Sequence, residues 1–213
     1  MSYHCGKWAH QGFEPKLGQQ HCILANVNNF ASHCRCIGNK TIMRIINSTH
    51  SDLDTIFTLY DEAVAYQKTR FDKHWLAFDK AMVEKEIFED RQWKIMEGDE
   101  VACIFAITYA DPFIWHEQKD EPAVYIHRIV TSPLYHGRAY VKIIIEWAKR
   151  HAKERGKKYV RMDTWGDNQK LIDYYVKCGF TFLGTVTPIA TEELPKHYSA
   201  IFLSLFEINV DAT

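Results

Sequence analysis

The chain has 213 residues, of which 46% are hydrophobic and 25% charged, and its formal net charge is −1. This length and apolar content suit one globular domain with its own core. Nothing in a nearly neutral chain suggests a general polyanion partner, so no nucleic-acid partner is expected. No apolar run approaches the roughly 20 residues that a membrane span needs, and the N-terminus lacks a secretory signal. We therefore expect a cytoplasmic protein with no membrane partner.

Residues 1–40 differ from the rest of the chain. They contain one acidic residue against four basic residues, together with four of the six cysteines. Because they show neither helical nor alternating periodicity, we expect an extension that is disordered or packs loosely, followed by a domain over residues 41–213. A C-x-x-C pair is missing, and only Cys34 and Cys36 are close, so no zinc or other metal site is expected. An over-extended start is the alternative, since Met43 would open a complete domain.

From residue 41 onward, strand-like and helix-like patterns alternate. Ser51 with Asp54 three residues later is a capping signal for the first helix, and Gly98 between two apolar runs predicts a hairpin. In chain order, the predicted elements are a strand at 41–46, helices at about 51–66 and 75–89, strands at 92–96, 101–107 and 123–131, a helix at 140–155, a strand at 158–164, a helix from 168, and strands near 180–186 and 199–208. This order predicts an α/β fold, with a mixed central sheet flanked by helices.

The most informative stretch is 132–180. A strand end leads through a turn into a long amphipathic helix, and a second strand leads to Asn168, a helix with Tyr174 and Tyr175, and Gly179. A loop that presents backbone N–H groups at a helix N-terminus suits an anion, because those amides have no internal partner. The order and spacing resemble the acyl-CoA half of the GNAT family of N-acetyltransferases. The element order over about 41–208 also resembles the GNAT-like acyl-CoA N-acyltransferase fold.

The resemblance implies a phosphate-binding loop. The family pattern Q/R-x-x-G-x-G/A aligns with residues 136–141, where His136, Ala139 and Val141 depart from it. A second register, 134–139, keeps small residues but begins with leucine, and the first register keeps the following helix in phase. An ordinary strand–turn–helix connection with a basic edge is the plainer alternative.

The resemblance also implies acetyl-CoA as the acyl donor, with its pantetheine arm between two splayed strands at 123–131 and 158–164. Backbone groups of 129–131 would pair with the pantetheine amides, and one N–H group would stabilise the oxyanion. The residues expected to bind the cofactor are Ile129, Val130, Thr131, His136, Gly137, Arg138, Ala139, Tyr140, Val141, Lys142 and Asn168.

Two side chains are the predicted catalytic groups. By resemblance, Tyr175 protonates the departing thiolate, a task that a phenol with a pKa of about 10 can perform, whereas Tyr174 points about 100° away and is expected in the core. His127 is the predicted general base, because an imidazole titrates near neutral pH. A purely structural role is the alternative for both. Asp163 is a second candidate base, and Asp111 and His116 are weaker ones.

Strict alternation along the strand at 123–131 assigns its residues to two faces. One face should hold Tyr125, His127, Ile129 and Thr131. The other should hold Ile126, Arg128 and Val130.

The sequence therefore predicts an enzyme that transfers an acetyl group from acetyl-CoA to a primary amine by direct attack. A catalytically weak CoA-binding sensor or partner-binding module stays open, motivated by Ala139 and Val141. A structural protein with a Cys/His-rich metal-binding tail is a third class. A small amine or amino acid, a polyamine, an antibiotic and a protein N-terminus all remain open as the acceptor, and a homodimer is left open too.

Overall fold

The computed structural model describes residues 42–70, 74–116, 118, 120–166, 168–189 and 201–212. The predictions for residues 1–40 lie outside this part of the chain. The strands are β1 (Met43–Asn47), β2 (Gln92–Glu97), β3 (Glu100–Thr108), β4 (Ala123–Thr131), β5 (Tyr159–Trp165), β6 (Thr181–Val186) and β7 (Leu203–Asn209). The helices are α1 (Leu53–Lys68), α2 (Lys80–Phe88), α3 (Tyr140–Glu154) and α4 (Gln169–Lys177).

One mixed sheet contains these strands, in the order β1-β2-β3-β4-β5-β7-β6. Neighbouring strands are antiparallel except for β4 and β5, which are parallel and are connected through α3. The element order is the predicted one, so the α/β fold with a mixed central sheet is confirmed. In the described part of the chain, no helix combines the length and the apolar character that crossing a membrane requires.

Helices cover both faces of the sheet. Under α3 lies the main core, where Ile144 and Ala148, four residues apart on one helix face, meet Phe105 of β3 and Phe206 of β7. Ile104, next to Phe105, points to the opposite face, as alternation in a strand requires. There it joins a second cluster formed with α1 and α2.

The helix predicted at about 75–89 starts later than expected. Asp79 is extended, and its side chain accepts a hydrogen bond from the Ala81 N–H at 2.8 Å, which caps α2 at Lys80. Trp75 and Phe78 precede the helix and pack edge-on against each other, with ring centroids 5.5 Å apart. Their spacing fits a helical stripe, but they lie in the non-helical segment before α2, and both pack against the cluster of α1 and α2.

Candidate active site

The strands β4 and β5 separate at their carboxyl ends. Their parallel pairing ends with Ile126 opposite Met162. Beyond that pair, β4 stays bonded to β3 as far as Thr131, and β5 stays bonded to β7 as far as Trp165. A gap therefore opens between the two predicted strands, at the sheet edge where ligands bind in open α/β sheets.

A β-bulge in β4 lies where this gap begins. Ala106 of β3 is paired with His127 and Ile104 with Val130, so two residues of β4 face the single residue between them. One of the two, Arg128, has a φ of 49°, in the left-handed region. Because a bulge inserts one extra residue, it reverses the alternation of side chains along the rest of the strand.

The bulge makes the predicted faces of β4 wrong. We expected His127 and Ile129 to share one face and Ile126 and Val130 to share the other. Ile129 instead packs against the main core, to which Ile126 also belongs, and Val130 joins the cluster on the side of α1. His127 therefore faces away from α3. Asp163 does so as well, because it alternates along β5 with Met162 of the main core.

On that face, the imidazole of His127 lies between two carboxyl groups, and we call these three residues the carboxyl–histidine cluster. Its Nε2 lies 3.6 Å from Oδ2 of Asp111, which follows β3, and its Nδ1 lies 3.9 Å from Oδ1 of Asp163 on β5. The side chains of His127, Asp111 and Asp163 are only 15%, 8% and 6% exposed. Among the described residues, Asp111 Oδ2 has no hydrogen-bond partner.

Burial changes the proton affinities of the carboxyl–histidine cluster. It raises the pKa of Asp111 to about 8, with the charge of Asp163 as the second cause, and it raises the pKa of Asp163 to about 7. Burial also lowers the pKa of His127 to about 3, helped by the positive charges of Arg128 and Arg91. The cluster is thus a neutral imidazole between two carboxyl groups that titrate near neutral pH, where general bases are most effective.

The same three side chains also have the chemistry of cation ligands. Asp111, His127 and Asp163 can each offer one ligand atom, a carboxylate oxygen or a ring nitrogen, and these three atoms lie within 4.8 Å of one another. The nearest carboxyl oxygens, however, face opposite nitrogens of the ring, and a single ion would use only one of these nitrogens. Both N···O distances are longer than a hydrogen bond, so proton transfer within the cluster requires the side chains to approach one another.

Tyr175, and not Tyr174, packs against the main core, which corrects our expectation. Its ring centroid lies 5.2 Å from that of Phe206 and 6.1 Å from that of Phe180. A nine-residue helix presents two adjacent tyrosines about 100° apart, and the sequence did not show which of them turns inward.

The hydroxyl of Tyr175 is held in its protonated form. Burial raises its pKa well above the ordinary value, with smaller contributions from Tyr174, Cys178 and Asp163. Tyr175 therefore carries a proton at neutral pH, as a proton donor must.

The connection from β4 to α3 exposes its backbone. After a short 3-10 turn, Pro133–Tyr135, Gly137 and Ala139 adopt left-handed φ values of 83° and 55°, and α3 follows at Tyr140. The side chains at 136–139 are exposed. At the start of α3, the N–H of Lys142 donates to the carbonyl of Ala139 at 3.0 Å, so the N–H groups of Tyr140 and Val141 are the candidates for an anion. The left-handed backbone at residue 139 also explains why the family pattern has glycine there, because glycine adopts this conformation without strain.

The side chains of this loop divide between packing and charge. Tyr140 is buried and donates its hydroxyl to Glu97 at 2.9 Å, and Val141 packs against the main core. Arg138, half exposed, forms an ion pair with the same Glu97 at 3.2 Å. His136 Nε2 lies 3.2 Å from the carbonyl oxygen of Thr131. Tyr140 and Val141 can therefore offer an anion only their backbone, whereas Arg138 and His136 offer polar side chains.

Asn168 caps α4, as predicted. Its Oδ1 accepts hydrogen bonds from the N–H groups of Lys170 at 3.1 Å and Leu171 at 3.4 Å. These bonds fix the start of α4, the helix that carries Tyr175.

Two buried arginines near the gap had no predicted role. Arg161 of β5 is completely buried, and it pairs with Glu207 and Glu121 and donates to the carbonyl of Gln118 at 2.9 Å. It therefore ties the loop after β3 to β5. Arg128 of β4 is the second, and it contacts Glu86 and Tyr60. The sequence did contain a signal for these residues, namely an arginine within an apolar strand. Such an arginine is expected to be buried and therefore to have charged or polar partners.

Comparisons with known proteins agree with this architecture. Residues 55–180 match the acetyltransferase (GNAT) family. The chain is 20% identical over 145 residues to the uncharacterized N-acetyltransferase YesJ of Bacillus subtilis, covering 64% of this chain and 81% of that protein. A GNAT-family acetyltransferase from Listeria monocytogenes has a similar structure, with a TM-score of 0.63 and 20% identity over 78% of this chain and 94% of the other.

A second similar structure is yncA from Salmonella typhimurium, a putative acetyltransferase solved with its cofactor acetyl-CoA. Its TM-score is 0.55, with 15% identity over 80% of this chain and 95% of that one. The family match covers more than half of the chain and includes β4, the loop, α3, β5 and α4. It confirms the predicted acyl-CoA-dependent acetyltransferase with acetyl-CoA as its acyl donor. The chain therefore belongs to the acetyltransferase (GNAT) family.

Proposed function

We propose that this enzyme transfers the acetyl group of acetyl-CoA to a primary amine by direct attack. The amine nitrogen forms a bond to the thioester carbonyl carbon, and the bond from that carbon to sulfur breaks. One proton leaves the nitrogen and one proton reaches the sulfur, so the products are an N-acetyl amine and CoA. The observation that carries the proposal is the carboxyl–histidine cluster at the point where β4 leaves β5.

The carboxyl–histidine cluster would take the proton of the amine. His127 is the most exposed of its three side chains and would meet the amine first. Because the pKa of its imidazole is only about 3, the proton would pass on to Asp163 or Asp111, whose pKa values are about 7 and about 8. In this scheme the histidine is a relay between the amine and a carboxylate.

Tyr175 would supply the proton to sulfur. Its phenol is protonated at neutral pH, and its ring is fixed by Phe180 and Phe206. A rigid ring favours catalysis because the hydroxyl then needs no reorganisation when the charge on sulfur develops.

The donor would lie along β4 and the following loop. Backbone groups of 129–131 would pair with the pantetheine, and the exposed backbone of 136–139 with the first amides of α3 would hold the pyrophosphate. Arg138, His136 and Lys142 would add positive charge there. Asn168 would act by fixing the start of α4. We place the reaction in the cytoplasm, as expected from the sequence.

A panel of amines tests the proposal and identifies the acceptor class. It should include amino acids, polyamines, aminoglycoside antibiotics and peptides with free N-termini, each incubated with acetyl-CoA while free thiol is measured. We expect amine-dependent CoA release with at least one class, and an N-acetylated product of matching mass. Tight binding of CoA without thioester consumption by any amine would instead support the sensor alternative.

A further inference from the structure

A buried ionic network joins the bulge of β4 to both helices on that face of the sheet. Arg128 Nη2 lies 2.5 Å from Oε2 of Glu86 on α2, and its Nε donates to the hydroxyl of Tyr60 on α1 at 3.2 Å. The side chains of Arg128 and Glu86 are only 13% and 8% exposed. The guanidinium also lies over the ring of Phe78, 5.5 Å from its centroid.

The partners of Arg128 are themselves held. Tyr60 donates its hydroxyl to Oε1 of Gln92 at 3.4 Å, and Oε1 of Glu86 lies 3.7 Å from a guanidinium nitrogen of Arg91. The network therefore extends from α1 and α2 through β2 to β4. Removing one member would leave a buried charge without its partner, so the members constrain one another.

The backbone of Arg128 forms the bulge that its side chain anchors. Residues other than glycine seldom adopt a φ of 49°, because the Cβ then crowds the following carbonyl oxygen. Such a conformation persists where the surrounding structure determines it. For Arg128, the hydrogen bonds of its side chain to Glu86 and Tyr60 are the contacts that hold this conformation.

We propose that Arg128 is a positioning residue for acetyl transfer: anchored by Glu86 and Tyr60, it holds the bulge at which β4 leaves β5. His127 precedes the bulge and faces Asp111, whereas the donor-binding segment 129–131 follows it. Without the extra residue of the bulge, the rest of β4 would shift by one residue. Every side chain after the bulge would then point to the opposite face of the sheet. The backbone amides that now point into the gap would point to β3 instead. The roles of His127 and 129–131 rest on the proposed function.

Arg128→Gly separates the anchor from the backbone conformation. Glycine adopts a positive φ without strain, so the substitution permits the bulge but removes the contacts that hold it. We expect kcat/KM for acetyl-CoA to fall about 10- to 100-fold, with a lower kcat and a higher KM, because small misplacements of reacting groups are costly. Glu86→Gln should act in the same direction. The double variant should be no worse than the poorer single variant, because the two residues act as a unit.

Asp52→Asn is the matched control. It breaks the ion pair between Asp52 and Lys94, whose N···O distance is 2.6 Å and which joins the turn before α1 to β2. The side chains of Asp52 and Lys94 are 13% and 10% exposed. We expect it to lower Tm, as the loss of a buried ion pair does, and to leave kcat/KM unchanged. If Arg128→Gly does not fold, Arg128→Lys and Glu86→Gln replace it in the same comparison.

The proposal is overturned if the folded variants of Arg128 and Glu86 keep the kcat/KM of the Asp52→Asn control. Failure of the proposed function looks different, because the parent enzyme would then consume no thioester with any amine. In that case the Kd for CoA, measured by calorimetry, still tests the positioning of 129–131. A weaker Kd in Arg128→Gly than in Asp52→Asn supports the proposal, and an equal Kd overturns it.

Discussion

The carboxyl–histidine cluster holds its protons differently from the same groups in water, where a carboxyl group has a pKa of about 4 and an imidazole about 6.5. Burial raises the pKa of Asp111 and Asp163 to about 8 and about 7 and lowers that of His127 to about 3. A histidine in a strand suggested a base by its ordinary pKa. The structure shifts the proton affinity to the two carboxyl groups, because burial disfavours the charged form of each group and so raises the pKa of a carboxyl group and lowers that of an imidazole.

Activity should rise with pH through the range of about 7 to 8, because the cluster accepts a proton only when a carboxyl group is ionised. The measurement is kcat/KM against pH, repeated with two amines of different pKa. The inflection that belongs to the enzyme keeps its position when the amine changes. It should shift or disappear in Asp163→Asn, with lower activity. An enzyme inflection that Asp163→Asn leaves in place at full activity would remove Asp163 from the mechanism.

Tyr175→Phe should lower kcat more than it weakens CoA binding. The substitution removes one hydroxyl and keeps the ring that packs on Phe206, so folding should change little. A positioned general acid contributes on the order of 10²–10⁴-fold. Steady-state kinetics and calorimetry with CoA give the two quantities, and Tyr174→Phe is the adjacent control. Full activity of Tyr175→Phe, with chemistry shown to be rate-limiting, would assign the proton to another donor.

Among the elements, β4 shows most clearly what local patterns can and cannot predict. The sequence predicted its bounds, Ala123–Thr131, because apolar and β-branched residues define a strand locally. It did not predict the bulge, which depends on how β4 pairs with β3. The same limit applies to α2. Trp75 and Phe78 have helical spacing, and the sequence alone did not show that they pack against the core from a non-helical segment before the helix.

The start of α3 gives a prediction at this scale. Ala139 has a left-handed φ of 55°, which glycine adopts without strain. Ala139→Gly should therefore leave the stability equal or higher and should not weaken CoA binding. Ala148→Gly, in the buried interior of the same helix, should cost about 1 kcal/mol or more. Thermal unfolding and calorimetry measure both effects. A clear loss of stability in Ala139→Gly would contradict the strain that we ascribe to this residue.

In the whole molecule, β4 belongs to the antiparallel strands β1 to β4, and β5 belongs to the group with β7 and β6. The two groups are joined by the short parallel pairing that ends at Ile126 and Met162. The element order predicted a mixed sheet, and the family resemblance predicted the two splayed strands. The strand order was not predicted, because it depends on which strands pair in space. A donor in the gap would contact both groups of strands.

Acetyl-CoA should therefore raise the melting temperature of the protein. A ligand that binds only the folded state stabilises it by about 2.7 kcal/mol at 100 times its Kd. CoA should act similarly, because it shares the pyrophosphate and pantetheine. Thermal unfolding at increasing ligand concentration measures the effect. A melting temperature that stays constant at millimolar acetyl-CoA would contradict a donor site in the gap.

Direct attack by the amine is the central claim, and initial rates test it most directly. CoA release is measured while acetyl-CoA and an accepted amine are varied together. Direct attack requires both substrates on the enzyme at once, so double-reciprocal lines should intersect, with one N-acetyl product formed per CoA. Parallel lines, the pattern of a covalent acetyl-enzyme, would contradict the mechanism.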